Sequence, residues 1–159
     1  IFLMKLFFFL QILNVWVQPA QNQTPIDAFN YPLVQRTTAL VIEEYIQEEQ
    51  VLRLVSDKMD ADIIVKPYFI GYRRPNTDIS LAVLQIKEEE VFLTMRMEFY
   101  FAKYNFAQNL ICTESLIRKA GSNFLDIEDS QTDFAESMVF NLVKKTINGC
   151  FQDFDSLIF

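Results

Sequence analysis

The stretch Val91-Phe-Leu-Thr-Met-Arg-Met-Glu-Phe-Tyr-Phe101 decides how the rest of the chain is read. Val91, Leu93, Met95, Met97, Phe99 and Phe101 alternate with Phe92, Thr94, Arg96, Glu98, Tyr100 and Ala102, so one side is wholly apolar and the other mixed. Side chains of a strand alternate between faces, and this pattern belongs to an antiparallel sheet covered on one side. The methionines in it read as core filling.

Outward from that strand, Lys103–Phe106 reads as a turn and Ala107–Thr113 as the partner strand. Upstream, Lys87–Glu90 reads as a charged turn, and Ile79–Ile86 as a short strand or loop. Before that, Ala61–Tyr72 reads as a long strand ended by Arg73–Asp78, and Pro67 within it points to an edge position or a bulge. Val51–Val55 is a short strand, and Asp57–Asp60 a turn.

Two segments carry helical periodicity. In Tyr31–Glu49, Val34, Thr38, Val41, Ile42 and Tyr45 recur at helical spacing, with Pro32 in the first turn. Glu43, Glu44, Glu48 and Glu49 form an acidic outer face, read as solvated. In Ser130–Asn148, Phe134, Ala135, Met138, Val139, Leu142 and Val143 define an apolar stripe. Ser130 and Asp133 form a capping-box-like start, Gly149 is a C-terminal cap, and the tail Cys150–Phe159 docks back on the domain. The expected fold class is therefore α+β: two helices packed on one face of a mostly antiparallel sheet of four to five strands, leaving the other face for a partner.

The N-terminal end supports two overlapping readings. Met4, Lys5 and Leu6–Val17 have the order of a secretory signal, too short for a membrane-spanning helix. Ile12–Gln18 also has the β-branched and aromatic content of a first strand. The organisation adopted is an apolar, export-signal-like segment at residues 1–11 and a single α+β domain at 12–159. The polar loop Gln21–Asn30 contains a glycosylation sequon at Asn22-Gln-Thr24, poorly placed because Pro25 follows.

Composition narrows the function classes. The 159 residues are 51% hydrophobic and 14% aromatic, ample for one core. A net charge of -7 disfavours nucleic acid as a partner. The chain has no histidine and only three glycines, and it shows no phosphate loop, nucleophile elbow or metal-ligand spacing. No catalytic residue, metal or cofactor is expected, although a hydrolase built on paired carboxylates remains a rival reading. Cys112 and Cys150 are either one disulfide or two buried thiols. A local basic cluster is the remaining feature: Lys66, Arg73, Arg74, Arg96 and Lys103, with Tyr72 beside them, are the candidate partner-binding residues. Arg118 and Lys119 lie further along. In an antiparallel meander Lys66 and Arg96 can approach each other on the solvent face, where an anionic partner such as a phosphorylated glycolipid suits arginine forks.

The helix Leu33–Tyr45, the strands Val51–Val55, Ala61–Val65 and Val91–Phe101, the Gly71-Tyr-Arg-Arg-Pro75 turn and the final helix resemble the LptE family. This family comprises lipopolysaccharide-assembly lipoproteins that partner the outer-membrane barrel LptD. The likeness spans roughly residues 12–155, with Val15–Thr24 in the place of the family's first strand and its asparagine-containing turn. The resemblance implies a non-enzymatic plug and chaperone on the periplasmic side of the outer membrane, partnered by an LptD-like barrel and in contact with lipopolysaccharide. The family's lipidated N-terminal cysteine has no counterpart before Cys112, and no lipopolysaccharide-contacting residue is carried over. The other reading is a binding or scaffold subunit of a different secretion or surface-assembly machine.

Overall fold

A computed structural model describes residues 12–73, 88–119 and 138–158. Its strands are β1 (Leu13–Val17), β2 (Gln21–Asn22), β3 (Leu52–Leu54), β4 (Ile63–Arg73), β5 (Glu88–Phe101) and β6 (Phe106–Lys119); its helices are α1 (Pro32–Gln47) and α2 (Met138–Ile158). One six-stranded sheet has the order β3-β1-β4-β5-β6, with β2 extending the β1 side of β4.

The fold is α+β, as the periodicity predicts, but the sheet is mixed. β1 runs parallel to both β3 and β4, and β2 is parallel to β4; among the described strands, β4-β5 and β5-β6 are the antiparallel pairs. The connection from β1 to β3 passes through α1, and such a strand-helix-strand crossover returns the chain in its original direction. The long hairpin β5-β6 keeps its register without a break from Glu88↔Lys119 to Phe101↔Phe106. Asn105 supports the reversal with a left-handed backbone, φ 46°.

Both helices cover the same side. Val34, Val41 and Ile42 of α1 and Val139, Leu142, Val143, Ile147 and Cys150 of α2 are buried in one cluster with Val15, Val65, Phe69, Leu93, Met95, Met97 and Phe99 of the sheet. Phe29 stacks on Phe69 at 4.5 Å between ring centres, and Tyr45 of α1 stacks on Phe151 of α2 at 5.0 Å. The buried hydroxyls of Thr38 and Thr146 donate to the carbonyls of Val34 and Leu142 one turn back, so neither is left unsatisfied.

Several expectations need correction. Glu88–Glu90 are part of β5 rather than a turn, because their backbones pair with Lys119, Arg118 and Ile117. β6 continues to Lys119, well past Thr113. Gly149 lies inside α2, which extends to Ile158 instead of ending in a docked tail. This glycine permits close approach: a Cβ on it would meet Glu114 Oε1 of β6 at 3.0 Å. A disulfide joins Cys112 of β6 to Cys150 of α2 beside that contact. The capping pair Ser130 and Asp133, Phe134, Ala135, Ile79–Ile86, the segment 1–11 and Arg74 lie outside the described residues.

Pro67 occupies neither an edge strand nor a bulge. The carbonyls of Val65 and Phe69 accept from the amides of Gln18 and Gln23 at 2.9 and 2.8 Å, so alternate residues of β4 turn their backbone groups toward β1 and β2. Pro67 falls in that set, opposite the break between Val17 and Gln21 where a ladder bond has no strand to meet. The bulge lies further on, between Phe69 and Gly71.

Candidate partner-binding face

The sheet face away from the helices carries the side chains that alternate with the core. Cross-strand register sets Lys66 opposite Glu98, Tyr68 opposite Arg96 and Arg73 opposite Phe92. The cations lie over rings: Arg73 is 4.4 Å from the centre of Phe92, Arg96 is 4.5 Å from Tyr68 and Lys66 is 5.4 Å from Tyr100. Lys66 Nζ is also 3.7 Å from Glu98 Oε2. Further across, Lys58 stands 5.7 Å from the ring of Trp16 on β1. The result is a diagonal band of cations backed by aromatic faces, with the Glu98 carboxylate beside Lys66, on a protein whose net charge is -7.

The ring contacts do two things to these side chains. They contribute about 0.5–1 kcal/mol per pair at exposed sites, and they restrain each cation beside its ring, reducing the rotamer freedom lost when a carboxylate or phosphate binds. The face is otherwise uncharged in its centre, where Thr94 and Thr113 share a hydroxyl hydrogen bond of 2.8 Å. Tyr100 donates to Asn105 Oδ1 at 2.8 Å, fixing the ring under Lys66.

Of the candidate residues, Lys66, Arg73 and Arg96 come together on this face. Tyr72 does not belong to it. The Phe69/Gly71 bulge inserts one residue, so Tyr72 turns to the core side opposite Leu93 and meets Phe29 edge-on at 6.1 Å. The same insertion brings Arg73 onto the open face. Lys103 sits at the hairpin end beyond Phe101, over the ring of Tyr104 at 5.9 Å. Sequence reasoning passed over the rings Trp16, Tyr68, Phe92 and Tyr100; the alternation of Val91–Phe101 already placed Phe92, Arg96 and Tyr100 on one side.

Other features have local roles. Asn22 of the sequon accepts from the Thr24 amide at 2.8 Å and donates to the Ile26 carbonyl at 2.8 Å, so its amide serves the loop. On α1, burial holds the Glu43 carboxyl above the usual carboxylate range. Burial first, then Glu48 and Glu44, raise the neighbouring Tyr45 phenol. Among the described residues no three His, Cys, Asp or Glu side chains cluster as a metal site, and no helix is long and apolar enough to cross a membrane.

The chain shares its two-layer fold with the hypothetical protein CT253 from Chlamydia trachomatis, at a TM-score of 0.56 and 12% identity over 91% of this chain and 96% of that one. Looser likenesses are to the PelC dodecamer from Paraburkholderia phytofirmans (0.48, 8% identity, 89% and 85% covered) and to lipoprotein GNA1162 from Neisseria meningitidis (0.41, 10%, 86% and 99%). At such identities the likeness is one of fold. No family model and no curated protein matches the sequence.

Proposed function

We propose that this chain is a non-enzymatic subunit of a cell-envelope assembly that docks an anionic partner on the open face of its sheet. The finer form of the proposal is a plug and chaperone in an outer-membrane lipopolysaccharide-insertion complex, seated against an LptD-like barrel. The observation carrying it is the band Arg73/Phe92, Arg96/Tyr68, Lys66/Tyr100, a preorganised cationic surface that the core does not need. Two features support an exported setting: structural disulfides persist mainly in oxidising compartments, and Cys112–Cys150 ties two core elements together. The apolar, lysine-led stretch before Ile12 has the order of an export signal.

The test is co-purification from native membranes of the wild-type chain and of an Arg73→Glu, Arg96→Glu variant. Recovery of an outer-membrane barrel with the wild type, lost in a variant that keeps its melting temperature, is the expected result. Recovery of a different secretion or surface-assembly component favours the broader reading over the lipopolysaccharide one. Equal recovery with both proteins removes the face from the mechanism.

A further inference from the structure

We infer that two copies of this chain pair edge to edge along β6, antiparallel, about a twofold axis passing beside Leu110. This goes beyond the docking face above and uses a different surface.

The backbone directions establish which groups are offered. Val65 and Phe69 turn their carbonyls toward β1 and β2, so Lys66 and its neighbours of the same parity turn theirs toward β5. Lys66 faces Glu98, hence Met95, Met97 and Phe99 address β6, where they meet Cys112, Leu110 and Gln108. The residues between these, Ala107, Asn109, Ile111 and Thr113, therefore direct both N–H and C=O to the outer edge. All four are exposed, Ile111 by 63%, and β6 is the outermost of the described strands on this side of the sheet. Ser115 continues the series and confirms it: its carbonyl accepts from Lys145 Nζ of α2 at 2.8 Å, reaching over the edge.

Edge strands are ordinarily blunted by charge, proline, bulges or short length, because unpaired edges template association. Here, among the described residues, Lys145 closes the edge at Ser115. From Phe106 to Thr113 there is no charge, proline or glycine, and the register with β5 has no bulge. The open stretch is self-complementary. In an antiparallel pair, residues that face each other across a bonded position exchange two hydrogen bonds. Setting Leu110 opposite its own copy places Asn109 against Ile111 and Ala107 against Thr113 on both sides of the axis, which satisfies every outward group of the four residues and stops where Lys145 begins. The half-buried Leu110 then meets its twin on the core side. A twofold one residue later would direct Ala107 at the occupied Ser115 carbonyl. The contact is isologous, so it closes at two copies.

The test uses the intact oxidised chain. Light scattering on a sizing column should give a dimer whose population rises with salt, since each copy carries a charge of -7. In that dimer the amide protons of Ala107, Asn109, Ile111 and Thr113 should exchange much more slowly than on dilution to monomer. Asn109→Pro deletes an outward donor that β5 does not use, and Ile111→Lys adds charge at the axis; each should be monomeric with its melting temperature close to that of the wild type. A wild type that stays monomeric, a dimer in which those amides exchange freely, or variants that remain dimeric would each overturn the inference.

Discussion

Replacing Cys112 and Cys150 together by alanine asks how much of the stability of α2 on the sheet comes from one covalent tie. The bridge spans 38 residues. Cross-linking a loop of that length removes about 13 cal/mol/K of chain entropy from the unfolded state, about 4 kcal/mol at 25 °C. For a chain of 159 residues this corresponds to a fall in Tm of about 8–16 °C. Denaturant unfolding followed by circular dichroism measures it, with reduced wild type as a companion that loses the bond but keeps both sulfurs. The double variant should match the reduced wild type to within the small loss of buried sulfur contacts and should not respond to reductant. A loss below about 1 kcal/mol in both, or quantitative thiol labelling of folded protein recovered from an oxidising compartment, would refute the reasoning.

Two further outcomes follow from the core and from α1. Phe69→Ala removes a fully buried ring stacked on Phe29; it should cost about 3–5 kcal/mol by the same denaturant assay, and a cost under about 1.5 would mean the site collapses around the gap. Burial raises the native pKa of Glu43 above its ordinary 4.5, so the native state holds that proton more tightly than the unfolded chain. Stability from this group is then lost as pH climbs from 4.5 through the raised native value. Glu43→Gln should accordingly raise Tm at neutral pH, with the gain vanishing in acid; a gain that persists at low pH would exclude the ionisation as its cause.

Much of this architecture is legible in the residues because it is carried by local periodicity. Val91–Phe101 announces a one-sided strand, Val34–Ile42 a helical stripe, and burying both kinds of stripe in one core places the helices together. What escaped reading is non-local. Nothing in Leu13–Val17 says that its neighbours are Leu52–Leu54 and Ile63–Val65, or that they run parallel to it. Pro67 looks like an edge marker because its tolerated position depends on a break in two other strands. The single residue inserted between Phe69 and Gly71 exchanges the faces of Tyr72 and Arg73, a slip that a period of two cannot foresee. The candidate face is therefore legible through Lys66 and Arg96, while Tyr72, named beside them, turns to the core.

The bond between Cys112 and Cys150 also changes what continuity of the chain means for this molecule. A protease cutting anywhere between Lys119 and Met138 would leave two polypeptides that still travel together on a non-reducing gel and separate only once a thiol is added. The covalent attachment of α2 to β6 thus does not depend on the peptide bonds that run between them.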